Sequence, residues 1–211
     1  MSYNSKKIFL DLDGTLLNIE DRYLNLFQYM CKQYHIDNIS EFSFWELKRK
    51  GFTNVQILNK FGYKDDVTND FHKKWITLIE DNIWLQYDSL QKDTKNFLNQ
   101  LKIKNFNINL LTGRNSRENL LEQLKNLDIY IYFKNIFNVN TSSMVTEKKT
   151  VLKIHQPDYF VGDSEFDYLS CKDLDVKFFC VSNGFRNFDF LKKNNIKNIY
   201  ENLTILMDEA L

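Results

Sequence analysis

Lys7-Ile8-Phe9-Leu10-Asp11-Leu12-Asp13-Gly14-Thr15 is the stretch that decides the architecture of this chain. A short apolar run that stops at polar residues and a glycine is the pattern of a buried parallel strand with polar side chains at its carboxyl end. Residues 107–111 and 159–161 repeat it, ending near Gly113 and Gly162, and 176–181 runs into Ser182-Asn183-Gly184. Residues 136–139 make a weaker fifth strand. Helical patterns lie between these runs. Ser116 precedes Leu120, Leu121, Leu124 and Leu127, the stripe of an amphipathic helix, and 147–154 and 165–174 read likewise. Strand then helix, repeated, predicts an α/β fold: a Rossmann-like parallel sheet flanked by helices.

One region breaks that rhythm. Residues 18–87 are far too many for an ordinary strand-to-helix connection. Tyr23, Phe27, Met30, Cys31 and Tyr34 form one helical stripe, and Val67, Phe71, Trp75, Leu78 and Ile79 form another. Val55, Leu58 and Phe61 suggest a shorter helix between them. The expected organisation is a core of residues 1–17 and 88–211 interrupted by an all-helical cap at 18–87, with 91–101 returning as a helix. The insert's aromatics are expected in its core, because their spacing already accounts for them.

Bulk properties narrow the functional classes. The 211 residues are 43% hydrophobic, enough for a sizeable core, and 28 basic side chains balance 28 acidic ones. That balance gives no field to steer the protein toward nucleic acid or anionic lipid. Cys31, Cys171 and Cys180 are too scattered for a disulfide framework or a paired-cysteine zinc site. His35, His72 and His155 share no metal-ligand spacing. No run reaches the roughly 18 apolar residues that span a bilayer, and Asp11 and Asp13 interrupt any secretory signal. A cytoplasmic protein, monomer or homodimer, is expected.

Four polar clusters sit at or near strand ends. Asp11 and Asp13, two apart, share a direction, and gathering two buried acids is costly without a cation or a retained proton. Thr112-Gly113-Arg114 supplies a hydroxyl, a glycine amide and a following helix start, which together could cradle an anion. Lys148-Lys149 reads by itself as a surface pair. Asp163 ends a strand and Asp167 follows four residues later, so both acids can face the strand tip, where oxygen ligands suit magnesium. All four clusters would fall at the carboxyl edge of one parallel sheet, where such folds place their sites.

In order, spacing and strand context, DLDGT, LTGR, the lysine and GDSEFD resemble the motifs of the haloacid dehalogenase superfamily, and 181–206 resembles the tail of its phosphoglycolate-phosphatase-like members. The resemblance implies Asp11 as nucleophile and Asp13 as general acid/base. It also implies Thr112 on the phosphoryl group and Lys148 as the neutralising cation, chosen over Lys149 because the aliphatic Leu152 follows four positions later. Mg2+ would be held by Asp11, the main chain of Asp13, Asp163 and Asp167, and Thr15, Gly113 and Arg114 would line the substrate. The implied reaction is phosphate removal from a small phosphorylated metabolite through an aspartyl-phosphate. A phosphomutase of the β-phosphoglucomutase type and a nucleotidase share these motifs, whereas a binding module without turnover would be expected to have lost one. Within the insert, Arg49 or Lys50 is the expected contact to an anionic substrate group.

Overall fold

The computed structural model describes residues 5–211. The first strand, β1 (Lys7–Leu10), carries the opening apolar run, and β2 (Leu17–Asn18) follows a tight turn. The insert then folds as α1 (Glu20–Tyr34), α2 (Glu41–Arg49), α3 (Asn54–Lys60), α4 (Asp65–Leu78) and α5 (Asn82–Leu85). The chain returns through β3 (Ser89–Leu90) and α6 (Thr94–Ile103) to β4 (Asn107–Gly113), α7 (Arg117–Asn126) and β5 (Asn135–Val139). The remainder alternates as α8 (Met144–His155), β6 (Tyr159–Gly162), α9 (Glu165–Cys171), β7 (Lys177–Val181), α10 (Phe188–Lys193), β8 (Ile199–Tyr200) and α11 (Leu203–Ala210).

Six strands form one parallel sheet in the order β5-β4-β1-β6-β7-β8. The expected α/β class and parallel sheet are therefore present. The chain builds from β1 through β4 to β5 on one side, then crosses back to β6 on the other. The sheet's switch point thus lies between β1 and β6, where open α/β sheets form their crevice. Asp11 follows β1 and Asp163 follows β6, so the two acids flank that crevice. β1 is central and buried on both faces: Ile8, Phe9 and Leu10 are fully inaccessible. Ile8 and Leu10 join one apolar cluster and Phe9 another, as alternation in a strand requires.

Helices α1 to α5 surround a separate apolar cluster built from Leu26, Phe27, Met30, Phe44, Ile57, Leu58, Phe71 and Trp75. Phe27 and Phe44 stack with centroids 3.9 Å apart. A capping box at Thr53 and Gln56 starts α3, and Ser40 caps α2 by accepting from the Ser43 amide. The two ends of the insert are tied by β2 and β3, which pair antiparallel.

The structure differs from the sequence expectations in several details. Lys48 and Arg49 form the last turn of α2, a helix the sequence patterns did not announce, and Phe44, Trp45 and Lys48 bury one of its faces. The returning helix starts at Thr94 instead of residue 91, since Gln91 is held by Leu16 in the continuation of the β2–β3 pair. β8 adds a sixth strand of two residues.

Candidate active site

Asp11 continues the β1 ladder, its amide donating to the carbonyl of Val161 on β6 at 2.9 Å. Its carboxylate accepts from Lys148 Nζ at 2.7 Å, and the same amine donates to Asp167 at 2.7 Å. Lys148 lies on the inward face of α8 with Leu152 one turn on, and is only 1% exposed. Neighbouring Lys149 instead reaches Asp173 near the surface. Helical geometry separates the two lysines: residues one apart cannot share a face.

One carboxylate oxygen from each of Asp11, Asp163 and Asp167 lies within 4.8 Å of the others. Asp167 is fixed at the start of α9, where its other oxygen accepts from the Ser164 amide and hydroxyl. Asp163 accepts from the Thr15 hydroxyl at 3.3 Å and from the main-chain amide of Phe185. The backbone closes tightly around it. A Cβ on Gly14, which sits at φ +83°, would fall 2.0 Å from Asp163 Oδ2, and one on Gly184 would fall 2.4 Å away. Both positions require glycine.

Three acids and one lysine, all buried, leave excess negative charge. Burial, opposed by Lys148 and reinforced by Asp167, pushes the Asp11 carboxyl up to about 7. Burial and the flanking Asp167 and Asp11 raise Asp163 well above the usual carboxylate range. Burial alone would lower Lys148, but Asp11 and Asp167 override it and hold the amine protonated. An all-oxygen acidic cluster with this imbalance suits a hard divalent cation.

Asp13 has different surroundings. Arg114 grips it with two donors, Nε and Nη2, each at 2.6 Å, and Arg22 from α1 adds a third at 2.8 Å. Burial pushes its carboxyl up, yet Arg114 and Arg22 outweigh that and hold it at about 2. Asp88, beside β3, accepts from Gln123 at 2.7 Å and faces Arg22 at 3.1 Å. The Asp13 carboxylate is thus tied to the insert through Arg22, which also faces Asp88 where the chain returns, and stands apart from the three clustered acids.

A cavity of about 170 Å³ opens over Asp11, Asp13, Thr112, Gly113 and Lys148, with Tyr23 and Phe185 forming an aromatic wall. Their rings lie 5.1 Å apart. Thr15 is fully buried beneath Asp163, so it supports the acid and does not face the cavity. Arg114, expected against substrate, is 2% exposed with its guanidinium turned to Asp13 and Gln123. Arg49, the other expected contact, donates to the Ser182 carbonyl at 2.6 Å, and Lys50 pairs with Glu46. Both departures share one cause: guanidinium and ammonium groups near a closed surface find internal acceptors before solvent or ligand.

A model of the haloacid dehalogenase-like hydrolase family matches residues 8–181, the span that carries all four motif clusters. The chain belongs to that family. Among solved structures, this hydrolase is similar to a haloacid dehalogenase-like family protein from Streptococcus pneumoniae, with 17% identity, a TM-score of 0.79 and coverage of 98% of this chain and 99% of that one. A predicted phosphatase from Clostridium acetobutylicum matches at 15% identity and TM-score 0.72, covering 97% of each chain. A predicted phosphoglycolate phosphatase from Haemophilus somnus matches at 16% identity and TM-score 0.70 over 100% of both chains. At these identities the likeness speaks for a shared fold. No curated protein matches the sequence of this hydrolase. Among its described residues, no helix is long and apolar enough to cross a membrane.

Sequence spacing did not single out Arg22, Asp88 or Tyr23 as neighbours of the site. Arg22 and Tyr23 lie on an ordinary amphipathic helix, and only the return of the chain at β3 brings Asp88 beside Arg22.

Proposed function

We propose that this hydrolase is a Mg2+-dependent phosphatase that removes phosphate from a small metabolite through an aspartyl-phosphate on Asp11. The observation that carries the reading is the Asp11 carboxylate, buried at the sheet's switch point and bonded by Lys148 beside Asp163 and Asp167. Phosphoryl transfer asks a protein for positioning and charge neutralisation above all. Asp11, Asp163 and Asp167 would hold Mg2+, which supplies positive charge to screen a phosphate dianion from a carboxylate attacker.

The chain's own groups do the rest. Asp11 attacks phosphorus, and its oxygen forms the new bond as the ester oxygen leaves. Lys148 and the Thr112 hydroxyl steady the phosphoryl oxygens. Asp13 gives a proton to the departing alcohol and takes one from the water that later cleaves the acyl phosphate. In the present arrangement Asp13 is gripped by Arg114 and Arg22, so that duty requires the grip to loosen. Arg22 belongs to the insert, and relative movement of the insert would withdraw its contact, leaving the two from Arg114 to shift with substrate. Residues 18–87 are on this reading a cap domain that closes over the site and excludes water.

The protein acts as a cytoplasmic monomer or homodimer on a small phosphate ester, with neither nucleic acid nor membrane as partner. The test is phosphate release from a panel of esters with Mg2+ and again after chelation. Release that needs Mg2+ supports the reading, and release unaffected by chelation refutes the metal's part in it. A panel that yields no phosphate refutes the phosphatase assignment.

A further inference from the structure

Beyond the groups that handle phosphate and metal, the cavity over Asp11 is walled by Ile19, Tyr23, Met144, Phe166 and Phe185. An ester seated on Asp11 would rest its leaving group against that wall. Lys148 is the one cation among the described lining residues, and it is committed to Asp11 and Asp167. A carboxylate or second phosphate on the leaving group would be buried against apolar side chains without a partner, a costly position for a charge. The volume of about 170 Å³ is well below the roughly 300 Å³ at which pockets begin to hold drug-sized ligands, so a bound phosphoryl group leaves room for only a short leaving group.

The hydroxyls around the cavity are mostly taken. That of Ser164 donates to Asp167 at 2.7 Å, and that of Thr141 is paired with Asn115. The Thr112 hydroxyl steadies the phosphoryl group in the proposed reaction. Tyr23 remains. Its phenol forms no hydrogen bond among the described residues, although a tyrosine hydroxyl drawn away from water usually finds one. The ring is held on three sides, with centroids 5.1 Å from Phe185, 5.6 Å from Trp75 and 5.8 Å from Trp45, so the direction in which the hydroxyl reaches is fixed. Arg22, Asp13 and Arg114 all act electrostatically on this phenol, which puts Tyr23 on the side of the cavity where the departing alcohol takes its proton.

We propose that Tyr23 is a specificity-determining residue: its hydroxyl hydrogen-bonds a hydroxyl of the leaving group and so selects phosphate esters of small uncharged polyols over those of plain alcohols, carboxylate-bearing alcohols and nucleosides. A site that offers a polar group to a substrate hydroxyl discriminates against the analogue lacking it, because the polar group is then left unpaired. The inference rests on the phosphatase reading and names its substrate class, and it disfavours the nucleotidase.

The experiment measures kcat/KM for glycerol phosphate, n-propyl phosphate, phosphoglycolate, adenosine monophosphate and p-nitrophenyl phosphate in the Mg2+-supplied protein. The first two are repeated in Tyr23→Phe, which keeps the ring in its aromatic stack. Wild type should favour glycerol phosphate over n-propyl phosphate by about tenfold or more, and Tyr23→Phe should bring the two to within about twofold of each other. A wild-type protein that treats these two esters alike overturns the inference. A ratio that Tyr23→Phe leaves unchanged overturns it too, whether or not both esters lose activity, since the hydroxyl then has no part in choosing between them. Wild-type preference for phosphoglycolate or adenosine monophosphate, or release from p-nitrophenyl phosphate alone, overturns the inference while leaving the phosphatase reading intact. No release from any ester overturns the phosphatase reading itself, and this inference with it.

Discussion

Removing metal from this protein should make its stability fall between pH 5 and pH 7, and the acidic cluster sets the size of the effect. An Asp11 carboxyl in the unfolded chain ionises near its ordinary 3.8, whereas in the folded protein burial holds its proton to about 7. A folded-state value raised above the unfolded one gives stability that is full below the lower value and is lost as pH climbs through the higher. At 1.36 kcal/mol per unit, two units of that window cost about 3 kcal/mol from Asp11 alone. Asp163 is shifted the same way by burial, Asp167 and Asp11, and Asp88 is raised to about 6, chiefly by burial. His72, lowered by burial and by Lys48, opposes the trend within this interval and trims the fall, whereas the other candidates contribute little. Asp13, held at about 2, is ionised throughout, and Lys48, lowered to about 7 by burial and Arg186, is charged over most of it. For a chain of this size 1 kcal/mol moves Tm by about 2–4 °C, so chelated protein should melt about 6–12 °C lower at pH 7 than at pH 5. Saturating Mg2+ should recover most of that difference, because a bound cation favours the ionised cluster. Thermal unfolding at both pH values, with chelator and with Mg2+, reads the result. A metal-free Tm that is flat or rising from pH 5 to pH 7 refutes the electrostatic reasoning, as does an equal Mg2+ shift at both.

Other consequences follow from single contacts. Lys148→Met should lower kcat by at least about a hundredfold in a phosphate-release assay, whereas Lys149→Met should stay within about twofold, because only the first amine reaches Asp11. Gly14→Ala should abolish Mg2+-dependent stabilisation in thermal melts, since its Cβ would fall 2.0 Å from the Asp163 carboxylate and the φ of +83° disfavours it further. Arg22→Ala leaves Asp88 facing a weaker positive environment and removes one of the three donors to Asp13, whose carboxylate keeps the two from Arg114. It should destabilise the fold by about 3 kcal/mol in denaturant melts, the scale for breaking one side of a buried ion pair.

The parts of this molecule visible in its sequence are those set by local pattern. The continuous apolar run ending at Asp11 announces a buried parallel strand, and the like endings near Gly113 and Gly162 announce its neighbours. Parallel strands place their polar tips at one edge, which is why Asp11, Asp163 and Asp167 meet there, whereas Asp13, expected to share a direction with Asp11, is drawn to Arg114 and Arg22. The leucine stripe behind Ser116 marks α7, and Ser116 accepts from the Asn119 amide as its cap. What escaped lacks a local signature. β2, β3 and β8 are two residues each, too short for alternation to register. α2 was hidden because Phe44, Trp45 and Lys48 share its buried face, and a buried lysine reads as surface. The partners of Asp13 come from residues distant in sequence. Arg114 looked like a substrate contact because nothing in LTGR reveals that Asp13 lies within reach. Charge identity was legible; charge pairing was set by tertiary structure.

The role given to Asp11 is tested most directly by rapid acid quenching during turnover of a radiolabelled phosphate ester, followed by peptide mapping. Label on the peptide containing Asp11, released by hydroxylamine as an acyl phosphate, is the expected result. Label carried by a different residue, or undiminished turnover in the Asp11→Asn protein, would contradict it.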